Sequence, residues 1–199
     1  LIIFIFLLPF VFANAKIKCG ADKIDEIIEI TKNKRVALIV NQTSVTECGT
    51  HLVDTLKARG IDIKTIFAPE HGFRGNADAG ESVKDGIDTR SGVKIVSLYG
   101  KNKKPSAEQL SDIDMIIFDI QDVGARFYTY ISTMYYAMQS AAEHGKEFVV
   151  LDRPNPNDFV DGAVMDMNLK SFVGTLPLPI MHGLTVAELA LMIKGENWG

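Results

Sequence analysis

The chain has 199 residues, enough for one ordinary domain with a sizeable core. Charged residues make up 23% and the net charge is −4, so there is no basic field of the kind that holds nucleic acid. Residues 1–12 are almost wholly apolar, and Ala13-Asn14-Ala15 has the small-x-small pattern of a signal-peptidase site. A membrane helix needs roughly 20 apolar residues, more than this stretch supplies. Residues 1–15 therefore read as a signal peptide with a clipped basic front. The expectation is an exported, periplasmic or secreted chain with no stable membrane insertion after cleavage; a buried apolar strand or helix is the alternative. Lys16-Ile17-Lys18 before Cys19 is a poor lipoprotein signal, and the spacing of Cys19 and Cys48 does not say whether they pair.

From there strand-like and helix-like segments alternate. Short β-branched or apolar runs at 35–41, 61–69, 93–99, 115–120 and 148–151 predict five strands. The first, fourth and fifth are continuously apolar, as strands buried on both faces are. Between them, residues 22–31 place Ile24, Ile27, Ile28 and Ile30 on one side of a helix. Residues 51–58 do the same with Leu52, Val53 and Leu56, and Gly60 follows as a stop. Ser106 opens a short helix, residues 129–144 form the longest, and Thr185 with Glu188 makes a capping box for the last. Strands alternating with helices imply an α/β fold with a doubly wound, mostly parallel sheet. Residues 153–179 hold four of the seven prolines with little periodicity and read as a surface excursion. A sheet rarely ends on a helix, so residues 181–199 are expected to begin a truncated C-terminal region after a domain at 16–180.

In open α/β sheets ligands bind beyond the carboxyl ends of the strands. Those ends carry Asn41-Gln42-Thr43, then Glu70-His71 with Arg74, then Tyr99-Gly100, then Asp119, Gln121 and Asp122 with Arg126, Tyr128 and Tyr130, then Asp152, Arg153 and Asn155. No dinucleotide fingerprint, Walker A loop, zincin helix or nucleophile elbow occurs. A neighbouring Glu and His form a weak ligand set, so neither metal nor cofactor is expected. What remains suits glycoside hydrolysis, which needs a protonated carboxyl group and a second group to stabilise, attack or activate water. Glu70 is the candidate acid, with apolar walls expected to raise its pKa and His71 to orient it or share its proton. Asp119, Asp122 and Asp152 are open candidates for the second role. Arg74, Arg126 and Arg153 offer paired N–H groups to an anionic substituent, and Tyr128 and Tyr130 offer flat faces to a sugar ring.

Plainer readings stand beside these. Pro69-Glu70-His71-Gly72 can be only a turn, and Arg126 can pair with Asp122 or Asp119. Tyr128, Tyr130, Tyr135 and Tyr136 can be mainly core, the latter two above all, and Asp152–Arg153 can be a surface ion pair worth under about 1 kcal/mol. His51 and His144 read as surface helix residues. His182 divides between capping a helix and serving the site. Asn41-Gln42-Thr43 matches a glycosylation sequon, but a strand end argues against its use.

The stretches at 67–75, 118–130 and 151–156, with Asn41-Gln42-Thr43 and His182-Gly183-Leu184-Thr185-Val186, resemble the NamZ-type exo-β-N-acetylmuramidases. The resemblance runs from about Gly20 to Gly199. It implies a Rossmann-like N-terminal domain, a smaller C-terminal domain mostly missing from this chain, and an active cleft between them. It also implies release of N-acetylmuramic acid from the non-reducing ends of peptidoglycan fragments. Carried to matching positions, it makes Glu70 the acid, surrounded by His71, Asp119, Asp122 and Arg126. A non-catalytic module that binds cell-wall saccharide is the alternative.

Overall fold

The computed structural model describes residues 17–75, 85–100 and 102–198; the expected leader at 1–15 lies outside them. Six strands form the main sheet: β1 (Val36–Val40), β2 (Ile63–Ala68), β3 (Gly86–Ile87), β4 (Lys94–Ser97), β5 (Met115–Asp119) and β6 (Glu147–Val150). Their order is β3-β4-β2-β1-β5-β6, parallel throughout except for β3, which runs antiparallel to β4. The chain thus builds outward from β1 in one direction and then returns to continue from β5 in the other. That reversal opens a crevice between the carboxyl ends of β1 and β5, the usual ligand position of a doubly wound sheet.

Alternation along the central strands explains their continuous apolar character. Ala37, Ile39, Phe67, Ile116 and Phe118 face one layer, while Val36, Leu38, Val40, Ile66, Met115 and Ile117 face the other. Helices α1 (Ile24–Thr31) and α2 (Leu52–Ala58) cover the second face with Ile27, Leu52, Val53 and Leu56. The short α3 (Ala107–Leu110), the long α4 (Tyr130–Glu143) and α5 (Val186–Gly195) cover the first. The capping boxes form at Ser106 with Gln109 and at Thr185 with Glu188.

Two expectations are corrected. The fifth strand is not buried on both faces: β6 ends the sheet order and is half-buried, with Glu147 exposed. The surface excursion is largely exposed, as expected, and carries a short ladder in which β7 (Val160–Asp161) pairs antiparallel with β8 (Met181–His182), and Ala125 bridges Met181. Neither β3 nor β7 is long enough to leave a two-residue alternation in the sequence. His51 is not a surface residue either; it caps α2, its Nδ1 accepting from the Val53 N–H. Residues 181–195 pack against the sheet, with Val186, Leu189, Ala190 and Ile193 inside the α4 layer.

Phe118, 1% exposed, fills the layer between sheet and α4. Phe118→Ala is expected to lower the unfolding free energy by about 3–5 kcal/mol in urea titrations, with the slope of the transition unchanged.

Candidate active site

Val40 and Asp119 are register partners across β1 and β5, so the residues after them leave the sheet side by side at the reversal. The Thr43 hydroxyl knits them together, donating to Asn41 Oδ1 at 2.6 Å and accepting from the Gln121 N–H at 2.9 Å. Gln121 Nε2 then donates to the carbonyls of Asp122 and Pro154, each at 2.8 Å, joining the β5 and β6 ends. One floor of hydrogen bonds spans three strand termini.

Glu70 stands beside it on a turn. Pro69 ends β2, and the Gly72 N–H returns to the Pro69 carbonyl at 3.0 Å. His71 is left-handed at φ 68° and Gly72 at φ 77°. A non-glycine residue in that region costs on the order of 1 kcal/mol, a strain that collects at functional sites. Glu70 is half-exposed, and its carboxylate Oε2 accepts from the Thr129 hydroxyl at 3.0 Å. Tyr99 hydrogen-bonds the same carboxylate, which pushes the phenol's own pKa up. The Tyr130 hydroxyl reaches the Glu70 carbonyl at 3.5 Å. The carboxylate is therefore ringed by hydroxyls rather than by the apolar walls expected, and Thr129 and Tyr99 join the candidate site without having been singled out. Thr129 adjoins Tyr130 in the sequence; Tyr99 ends a strand on the same edge, and only that placement pointed to it.

Arg74 does not present its guanidinium to a ligand. It grips Asp88 at 2.9 and 2.8 Å and Asp54 of α2 at 3.1 and 3.4 Å. The Arg74 bond holds the Asp88 carboxyl far below the usual carboxylate range. The guanidinium also lies 4.4 Å over the Phe73 ring, and Phe73 meets His51 edge-on at 4.8 Å. His51 Nε2 stands 2.9 Å from the Asn41 carbonyl. Burial lowers the His51 pKa, keeping the ring neutral in this role. The Glu70 turn is thus riveted to α2 and to the end of β1.

Several other candidates have structural duties. Asp119 has no exposed surface, and both its oxygens are taken by Arg153, Nε at 2.6 Å and Nη2 at 3.0 Å. Arg153 is consumed in turn, with Nη2 also donating to the Val45 carbonyl at 3.0 Å. Burial disfavours its charge, yet the bonds to Asp119 outweigh that and raise its pKa. Asp152 caps α5 by accepting from the Ala187 N–H at 3.0 Å. Arg126 spends Nη1 on the carbonyls of Ala163 at 2.8 Å and Leu178 at 2.5 Å, pinning the excursion. Asn155 bridges the Leu184 carbonyl and the Asn157 N–H.

Asn41, Asp122, Tyr128, Tyr130 and His182 remain at the reversal. Asp122 Oδ2 accepts from the Gly124 N–H at 2.8 Å and lies 3.2 Å from His182 Nε2, within ion-pair reach but short of hydrogen-bond alignment. Tyr128 and Tyr130 meet edge-to-face at 5.0 Å. Tyr130 is buried in the core rather than open to a sugar, whereas Tyr128 is half-exposed. Burial raises both phenols; the charge of Asp122 adds to Tyr128, while the amides of Asn41 and Gln42 work against the rise at Tyr130. Among the described residues no group of three His, Cys, Asp or Glu side chains is placed to hold a metal.

Residues 36–199 match the family described as "Exo-beta-N-acetylmuramidase NamZ, N-terminal". Over 185 residues the chain is 45% identical to the peptidoglycan beta-N-acetylmuramidase NamZ of Bacillus subtilis (strain 168), a match covering 91% of this chain and 45% of that protein. Crystal structures of two DUF1343 family proteins from Bacteroides fragilis NCTC 9343 align with TM-scores of 0.83 and 0.81 at 42% and 44% identity. Those matches cover 90% and 92% of this chain and 46% and 48% of theirs. The chain therefore spans about half the length of the relatives it matches.

Arg74→Met leaves Asp54 and Asp88 without their shared partner and should cost about 2–4 kcal/mol of stability at neutral pH. Because Asp88 is held low, the stabilisation is complete above its unfolded pKa of about 3.9 and is lost as pH falls through its folded value. Unfolding measured below about pH 4 should accordingly show a flatter acid limb in Arg74→Met than in the parent.

Proposed function

The chain belongs to the exo-beta-N-acetylmuramidase NamZ family through that family's N-terminal domain, and from this premise we propose that the protein is a glycoside hydrolase of cell-wall saccharides. Its substrate is a peptidoglycan fragment, from whose non-reducing end it releases N-acetylmuramic acid. The observation that carries the reading is the Glu70 turn. A half-exposed carboxyl group is held on a strained, riveted loop at the sheet edge where ligands bind.

Glycosidic cleavage needs a proton on the leaving oxygen as the sugar carbon becomes cationic. Glu70 supplies it. The hydroxyls of Thr129 and Tyr99 fix the direction of its carboxyl group, so little reorganisation is left for the moment of transfer. Half-exposed Tyr128 offers the ring face for the sugar. Asp119 and Arg153 hold the floor beneath it. The leader-like residues 1–15 support an exported protein, acting in the periplasm or outside the cell. Among the described residues no helix is long and apolar enough to cross a membrane. The active form on this reading has the length of the relatives, with a further C-terminal domain beyond residues 16–180 and the region that starts at 181.

Released N-acetylmuramic acid from a muramic acid–glucosamine disaccharide is the measurement. The full-length protein should liberate it, and Glu70→Gln should reduce turnover by about 10²–10⁴-fold while still binding the disaccharide. Binding with no free sugar from the parent would make this a saccharide-binding module instead.

A further inference from the structure

Asp119, Asp122 and Asp152 compete for the second role beside Glu70, and two of them are already engaged. Arg153 holds both oxygens of Asp119, and the amino end of α5 holds Asp152. We propose that Asp122 is the second catalytic carboxylate, its Oδ1 taking the proton of the attacking water, with His182 as its positioning residue. The proposal rests on the glycosidase reading above.

The two oxygens of Asp122 differ. Oδ2 is fixed by the Gly124 N–H and faced by His182, while Oδ1 is buried with no hydrogen-bond partner. Gly124 adopts φ 74°, and a Cβ there would come within 2.5 Å of Asn155 Oδ1, so the loop carrying Asp122 is tightly confined. His182 is tied to that loop by its own N–H, which donates to the Gly124 carbonyl at 3.0 Å. Its Nδ1 accepts from the Leu184 N–H at 3.3 Å, which leaves the proton of the neutral ring on Nε2, the atom facing Asp122.

Among the described residues, three buried side-chain nitrogens or oxygens lack an aligned partner: Asp122 Oδ1, His182 Nε2 and Asn41 Nδ2. All three sit at the strand-order reversal, with Asn41 following β1, Asp122 following β5 and His182 bonded through its N–H to the loop that carries Asp122. Buried polar atoms are nearly always satisfied, so a cluster of exceptions marks a place where a polar molecule belongs. A water carries the donor that Oδ1 lacks. Asp122 is only 3% exposed, so such a water is held by the protein rather than shared with bulk solvent. Tyr128 and Tyr130 meet edge-to-face, and beyond burial the charge of Asp122 adds to the rise of the first phenol and that of Glu70 to the rise of the second.

The step balances as a hydrolysis. The Glu70 carboxyl proton goes to the glycosidic oxygen as the bond from the anomeric carbon to that oxygen breaks. The water oxygen bonds to the anomeric carbon and its proton passes to Asp122 Oδ1. One water is consumed, and both carboxyl groups regain their starting protonation by exchange with solvent.

The test uses the full-length protein and the same disaccharide. Asp122→Asn, nearly identical in shape, should melt like the parent yet lose about 10²–10⁴-fold in kcat with KM little changed. In Asp122→Ala, added azide needs no base and should restore turnover with formation of a glycosyl azide. His182→Gln keeps a donor and should retain more kcat than His182→Ala. Undiminished turnover in Asp122→Asn overturns the proposal, as does a loss that azide leaves unrestored. If Glu70→Gln is inactive while Asp122→Asn is active, only the role of Asp122 is lost. Turnover surviving in both removes both carboxyl groups from the mechanism, and only a parent that binds the disaccharide without releasing free sugar sinks the glycosidase reading itself.

Discussion

The buried pair of Asp119 and Arg153 is the interaction on which the functional edge depends. A carboxylate with no exposed surface is costly by several kcal/mol unless its charge is answered in good geometry. Arg153 answers it with two bonds and extends a third to the Val45 carbonyl, while the Ser44 hydroxyl donates to the Asp119 carbonyl. The loops after β1, β5 and β6 are thereby locked to one another at the point where strand order reverses. Everything above that floor inherits its precision.

A second rivet holds the Glu70 turn. Arg74 couples the Glu70 turn to α2 and to Asp88, and His51 couples Phe73 to the end of β1. The two arginines do the same physical job in different surroundings. Each converts an irregular loop, whose backbone has few regular bonds, into a part with defined position. Chemistry that tolerates displacements of well under an ångström requires such support, and loops alone do not provide it.

The fold was largely legible in the sequence, because alternation and continuous apolar runs report directly on which faces are covered. Two helix starts could be read from Ser106 and Thr185, since a capping box is local in the chain. The candidate site was legible only as a neighbourhood. That Glu70, Asn41, Gln121 and Asp122 gather on one edge follows from strand polarity alone. Which of the charged groups are consumed does not, because their partners come from far along the chain. Asp54 and Asp88 lie 20 and 14 residues from Arg74, and the Ala163 carbonyl lies 37 from Arg126. An arginine bound for a ligand and one bound for a carbonyl look alike until tertiary structure pairs them. His51 was misjudged for the same reason, since its neighbours Asn41 and Phe73 belong to other segments.

The left-handed backbone at His71 has an evolutionary corollary. Few residue types enter that region readily: glycine foremost, with asparagine, aspartate and histidine enriched there. Any replacement at 71 is therefore screened by what the left-handed backbone admits. A change to glycine would relax the turn and make Glu70 easier to misplace, and a β-branched residue would burden the bend that presents it. The route by which this loop can drift is narrow, and it passes through small, polar side chains.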